Sequence, residues 1–343
     1  MRQPAAPYHE AGVRGEVERI CSENGLEHRR DRAGNVLVQL RTAPGLRPVA
    51  LAAHLDHPGF EIVRPLSNRR WIARFLGGVP DAWFKPGTRL RLMPGAGPAR
   101  LSKRRKTRDF EIVAATAPES PPQFAVWDLE DFAVQRGRIH GRACDDLIGV
   151  SAILATLVEL KRTRARVNVI GLISRAEEVG FQGALRIAAA KELSKNALVI
   201  SLETSRELPG VKMGGGVILR VGDRASIFDS SATRYLGEVA TGIKKLGKHF
   251  SFQRALMSGG TCEATAYQEF GFQTAAVCVA LGNYHNCGPR NRIAAEYVNL
   301  ADACGMVELL MAAARHMPKY SHLTARLPRR LNKLLDEARQ KLG

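Results

Sequence analysis

Four short apolar runs constrain this chain more than any other feature: "PVALAAH" (48–54), "VNVIGLIS" (167–174), "NALVISLE" (196–203) and "TAAVCVALG" (274–282). Each is apolar at successive positions rather than alternate ones, so each predicts a strand buried on both faces. Such strands belong to a mostly parallel sheet with helices above and below. Around them the apolar period lengthens to that of a helix, in "DLIGVSAILATLVELKRT", "GFQGALRIAAAKEL", "SATRYLGEVATGIKKLG" and "EYVNLADACGMVELLMAAARHM". A helix over roughly 10–24 and a strand in "DRAGNVLVQL" precede them. The expected class is α/β, with a doubly wound mixed sheet.

Between about 65 and 135 the pattern breaks. Short β-like pieces ("RWIARFL", "TRLRLM", "DFEIVAAT", "QFAVWDL") alternate with Pro/Gly stretches such as "MPGAGPA" and "APESPP". This predicts a small β-barrel-like domain, 65–135, inserted into the α/β domain made of 1–64 and 136–318. The tail, 319–343, reads as a basic amphipathic helix, packed or peripheral.

Polar residues gather where the apolar runs end. "AAHLDH" supplies His54, Asp56 and His57, and "GRACDDLIG" supplies Asp145 and Asp146 ahead of a helix. "SRAEEVG" supplies Glu177 and Glu178, "ISLETS" Glu203 and "ALGNYHNCGP" His285. Adjacent acids alone mean little: 33 acidic residues in 343 predict roughly three adjacent pairs, and the chain has four. Asp145-Asp146 also suits a helix cap. The ends of parallel strands, however, share one crevice. Histidines and carboxylates converging there suit a metal site with nitrogen and oxygen ligands. "GGG" at 214–216 lacks the setting of a phosphate loop and reads as a turn in the active-site wall.

Composition narrows the partners. No apolar run reaches the 18 residues of a membrane span, and the opening "MRQPAAPYHEAG" lacks a signal-peptide pattern. Six scattered cysteines without C-x-x-C read as reduced thiols, which leads us to expect a cytoplasmic protein. Cys144, Cys262 and Cys287 lie near the site segments and are expected to pack rather than bind metal. The net charge of +18 is spread along the chain, with one cluster, "KRRKTR", at 103–108. Interleaved aromatics and zinc-finger spacing are missing. The expectation is therefore a solvated basic surface, with no membrane and no nucleic-acid partner.

"HLD", a long β-rich gap, "CDD--G", "EEVGFQGA", an acid after the next strand and a late "NYH" together resemble the co-catalytic metallo-aminopeptidases. The likeness is to the tetrahedral, dodecamer-forming members, which include glutamyl and deblocking types. It spans roughly 10–315 and takes in "DRAGNVLV" and "MSGGTCEATAYQEFGFQTAAVCVALGNYH". It implies a zinc-peptidase-like catalytic domain that removes N-terminal residues from peptides, and a homo-oligomer between dimer and dodecamer. It implies two divalent ions per chain, zinc first, with cobalt or manganese compatible. Asp145 would bridge them, His54 and Glu203 would complete one ion, and Glu178 and His285 the other. Glu177 would be the general base, and Asp56 would orient the His54 imidazole.

Four positions depart from the pattern; the first would alter the metal geometry, and the last two touch substrate handling. Glu203 stands where an aspartate is expected, His57-Pro58 where Glu and an aliphatic residue are usual, Leu147 where arginine is common, and Cys262-Glu263 where an aspartate is usual. His57 is a rival to His54 as ligand, though the H-x-D spacing favours His54. Two other readings stay open: a related di-metal carboxypeptidase or N-deacylase, and a non-catalytic basic binding protein on the same fold. Relatives of the first kind insert their second domain after the later acidic ligand, whereas here the insertion lies between His54 and Asp145.

Overall fold

The four apolar runs become the parallel centre of one sheet, in the spatial order Asn168–Ser174, Val49–His54, Leu198–Arg206, Gln273–Gly282. The computed structural model describes every residue except Ala96, Lys191, Lys248 and Gly343. Three of these fall in segments singled out above: the "MPGAGPA" stretch, the end of "GFQGALRIAAAKEL" and the tail. Those positions lie outside the described residues.

Strand residues alternate between two cores, as a pleated sheet requires. Val49, Leu51 and Ala53 join a core with helices Cys144–Arg162, Ser230–Leu246 and Leu300–His316. Ala50 and Ala52 face the other way, toward Gln182–Ala189 and Glu263–Glu269. Both faces are covered, which explains why these strands lack polar alternation.

Antiparallel strands widen the sheet, so it is mixed. Val36–Arg41 and Glu27–Arg30 extend one side, and Glu296–Asn299, Arg138–Gly141 and Ala133–Gln135 the other. Val217–Gly222 pairs antiparallel with Gln273–Gly282 and parallel with Phe252–Leu256. The segment "EYVN" is a strand rather than the first turn of a helix. Pairing on both sides outweighs helical periodicity there, and the helix begins at Leu300 under an Asn299 cap. Gly214 and Gly216 adopt positive φ in a turn whose amides donate to Asp302. That turn is tied to the Leu300–His316 helix and is not part of the active-site wall.

The insert is a closed six-stranded barrel: Gly59–Ser67, Arg70–Leu76, Asp109–Ala114, Gly97–Arg104, Arg89–Met93 and Phe124–Trp127. Phe60, Phe75, Phe110 and Trp127 form its core, with ring centroids of Phe60 and Trp127 5.0 Å apart. It runs from Gly59 to Trp127, so both ends fall earlier than 65 and 135. The backbone turns away from the main sheet at His57-Pro58, before the composition changes, and Ala133–Gln135 pairs in the main sheet. Among the described residues no helix is long and apolar enough to cross a membrane.

Candidate metal centre

Parallel strands deliver their C-terminal ends to one edge, and the polar residues named above meet there. His54 ends its strand opposite Ser174, and Glu177 and Glu178 occupy the turn that follows Ser174. Glu203 lies near the end of its strand, opposite Cys278. His285 sits after Gly282 with φ 53°, a left-handed conformation that swings the ring back over the edge. Asp145 opens the Cys144–Arg162 helix with non-helical φ/ψ, which aims its carboxylate away from the helix axis. Asp146 does the capping instead, accepting from the Gly149 amide at 3.1 Å. A Cβ at position 149 would collide with the Asp146 carboxylate, which accounts for the glycine in "CDD--G".

His54, Asp145, Glu177, Glu178, Glu203 and His285 line one cavity of about 420 Å³. Donor atoms of His54, Glu177 and Glu203 lie within 4.8 Å of one another, and so do those of Asp145, Glu178 and His285. Asp145 stands between the two imidazoles, with Oδ1 3.7 Å from His54 Nε2 and Oδ2 3.5 Å from His285 Nε2. Glu178 Oε1 is 3.2 Å from His285 Nε2, and Glu177 Oε2 is 3.9 Å from His54 Nε2.

The electrostatics call for positive charge. Burial disfavours ionised imidazoles, yet Glu177, Asp145 and Asp56 hold the His54 pKa well above its usual value. Glu178 and Asp145 do the same for His285. Burial, reinforced by Asp145, pushes Glu203 up to about 8, and burial with neighbouring carboxylates pushes Glu177 well up. Asp145 is held low despite its burial, by its two histidine neighbours. Four carboxylates thus gather around two imidazoles, with Arg206, Arg220 and Arg224 on the same cavity wall. Asp145 Oδ1 and Glu178 Oε1 are buried without a hydrogen-bond donor. A mixed nitrogen and carboxylate set with unpartnered oxygens fits divalent cations.

Side-chain acceptors hold the backbone amides of the glutamate turn. The amides of Arg175, Ala176, Glu177 and Glu178 donate in turn to Asn35 Oδ1 (3.0 Å), Glu10 Oε1 (3.1 Å), Asp56 Oδ1 (2.9 Å) and Asp56 Oδ2 (3.1 Å). The Asp56 backbone carbonyl, not its carboxylate, takes the His54 Nδ1 hydrogen bond at 3.0 Å; the carboxylate is 3.6 Å from Nδ1. Asp56 therefore touches the imidazole mainly through its main chain and the glutamates through its side chain. His57 has Nδ1 2.7 Å from the Asp145 carbonyl and Nε2 2.9 Å from Asn286 Oδ1, so both nitrogens are engaged away from the candidate ligands.

Glu296 was not among the expected site residues. Its buried carboxylate accepts from the Cys144 and Asp145 amides at 2.8 and 3.0 Å and fixes the backbone that presents Asp145. An acid at the start of "EYVN", in a stretch whose spacing reads as helical, was its only signal. Arg206, Arg220 and Arg224 line the cavity beside Gly259, Gly260 and Thr261. Cys262 also lines it, but neither Cys262, Cys144 nor Cys287 joins a candidate ligand group among the described residues.

A family model described as M42 glutamyl aminopeptidase matches residues 119–299, just over half of the chain. The fold is similar to that of the TET1 peptidase of Pyrococcus horikoshii (23% identity over 91% of this chain and 96% of that one, TM-score 0.75), whose structure is described as a tetrahedron or a large octahedral shell. It is similar to the aminopeptidase APDkam598 of Desulfurococcus kamchatkensis (20% identity, 93% of each chain, TM-score 0.76). It is also similar to a TET aminopeptidase from the marine sediment archaeon Thaumarchaeota archaeon SCGC AB-539-E09 (19% identity, 94% and 97%, TM-score 0.78).

Proposed function

The chain belongs to the M42 glutamyl aminopeptidase family, and on that premise we propose that it is a two-metal hydrolase releasing N-terminal residues from peptides. The observation that carries the reading is the position of Asp145, which belongs to the candidate group with Glu178 and His285 and turns its other carboxylate oxygen toward His54 of the second group. Asp145 would bridge two divalent ions, with His54 and Glu203 on one and Glu178 and His285 on the other. Zinc is the proposed metal, and cobalt or manganese suits the same donors.

Bound ions would supply Lewis acidity toward the scissile carbonyl and the attacking water. Glu177 lies with His54 and Glu203 in one candidate ligand group, and the resemblance gives it the role of base rather than ligand. As general base it takes a proton from the attacking water and delivers it to the departing amine. That proton transfer balances: water adds across the C–N bond, hydroxyl to the carbonyl carbon and hydrogen to nitrogen. Asp56 holds both glutamates in register through their amides.

Three arginines on the cavity wall support an acidic side chain at the substrate N-terminus. By analogy with the assemblies named for its structural relatives, we propose that the chain forms a homo-oligomer through its β barrel. The decisive experiment combines elemental analysis with a panel of aminoacyl chromogenic amides, on wild type and Glu177→Gln. About two ions per chain, and at least a roughly hundredfold lower kcat in the variant, are expected. Failure to bind metal would overturn the reading, and a preference for basic or neutral residues would overturn the acidic specificity alone.

A further inference from the structure

The C-terminal helix Arg326–Leu342 has no buried residue. Leu327, Leu331, Leu334, Leu335 and Leu342 are 43–85% exposed, and with Ala338 they fall on a single stripe. Arg326 ties the start of the helix to Glu238 at 2.7 Å. Beyond it, among the described residues, neither Arg330 nor Glu337 makes an ion pair within the chain.

We propose that this stripe packs antiparallel against the same helix of a second copy, around a two-fold axis. The contact lies apart from the metal centre and does not depend on it. An isologous contact must be self-complementary, and this helix is. Set antiparallel with Leu331 opposite the partner's Leu334, Leu334 falls opposite the partner's Leu331. Leu327 then meets the partner's Ala338 at each end, a large residue against a small one. In that register Arg330 flanks the seam beside the partner's Glu337, and Glu337 beside the partner's Arg330, giving two reciprocal pairs. Both charges unpaired in the single chain thus find partners.

A membrane surface is the competing occupant for a basic amphipathic helix. It fits less well, because Glu337 sits on the seam's flank, among the basic residues Arg330 and Lys341, where an anionic headgroup would lie. The helix as a whole carries six basic residues against two acidic ones, which would suit an anionic surface. The reciprocal match of Arg330 and Glu337 across the two-fold axis is what favours the second copy.

The test uses the full chain with Cys304, the exposed cysteine, changed to Ser. Under mild oxidation L331C/L334C should give disulfide-linked dimers, while R329C/D336C on the opposite face should not. Adding R330E should lower the L331C/L334C yield roughly threefold or more, because both reciprocal pairs become repulsive, and adding E337R to that chain should restore it. Equal yields from the two faces, or indifference to R330E, would overturn the proposal. So would a lack of cross-linking together with binding to anionic phospholipid vesicles that L331E/L334E abolishes.

Discussion

Glu10 looks unremarkable in the sequence, an acid ahead of the first helix, but its fully buried carboxylate accepts from the Ala176 amide and pairs with Arg175 at 2.7 Å. Together with Asn35 and Asp56 it holds four consecutive amides of the turn that carries Glu177. A misplaced catalytic group loses rate rather than affinity. Glu10→Ala should therefore lower kcat by about tenfold or more with little change in KM, and Glu10→Gln, which keeps the acceptor oxygen, should recover much of it. Steady-state kinetics at fixed metal loading checks this, and a purely structural role would lower active enzyme content without the recovery. Glu263 offers a stability test. Burial pushes its pKa up to about 7 from 4.5, and Ser174 donates to it. Below 4.5 both states hold the proton, whereas between 4.5 and 7 only the folded state does. Its contribution to stability is thus present at low pH and declines as pH rises through 7. In metal-free protein, Glu263→Gln should remove up to roughly 3 kcal/mol of that decline, read from denaturant unfolding at pH 5 and 8.

Elements matter here through where they end. Parallel strands in register place His54, the Glu177 turn, Glu203 and His285 at one edge, so a slip by one residue would turn each candidate ligand into the wrong layer. The helix that backs this edge starts under Asn299, whose side chain accepts from the Ala301 and Asp302 amides at 2.8 and 3.1 Å. Asn299→Ala leaves those donors unmet and should cost about 1 kcal/mol, measured as a shift in the denaturant midpoint at unchanged slope. The strand just before it, "EYVN", has a helix-like apolar spacing with its successor. Only the neighbours on both sides turn it into a strand and bring Glu296 beneath Asp145.

At the scale of the molecule, Asp145, Glu177, Glu178 and Glu203 crowd one cavity, and divalent cations bound there would relieve the repulsion that its imidazoles and arginines leave. Chelation should lower the melting temperature, and a divalent ion at a hundred times its Kd should return about 2.7 kcal/mol per site. Thermal unfolding with and without chelator checks it, and an unchanged midpoint would argue against the cavity as a cation site. The residues that meet there were legible beforehand because apolar strands and helical periods are local patterns, and polar groups at strand ends stand out against them. "HLD", "CDD--G" and "EEVG" marked the polar residues that converge for that reason, while the roles proposed among them came from the resemblance. Barrel boundaries, the strand at Glu296–Asn299 and the amide acceptors Glu10 and Glu296 were not legible. Each depends on a partner far along the chain: Glu10 is 166 residues from Ala176, and Glu296 is 151 from Asp145. Local sequence thus determined the parallel core and the chemistry at its edge, because burial on both faces leaves a local mark. Tertiary structure alone decided what holds that chemistry in place, because a buried acceptor acquires its role only from the amide the fold brings to it.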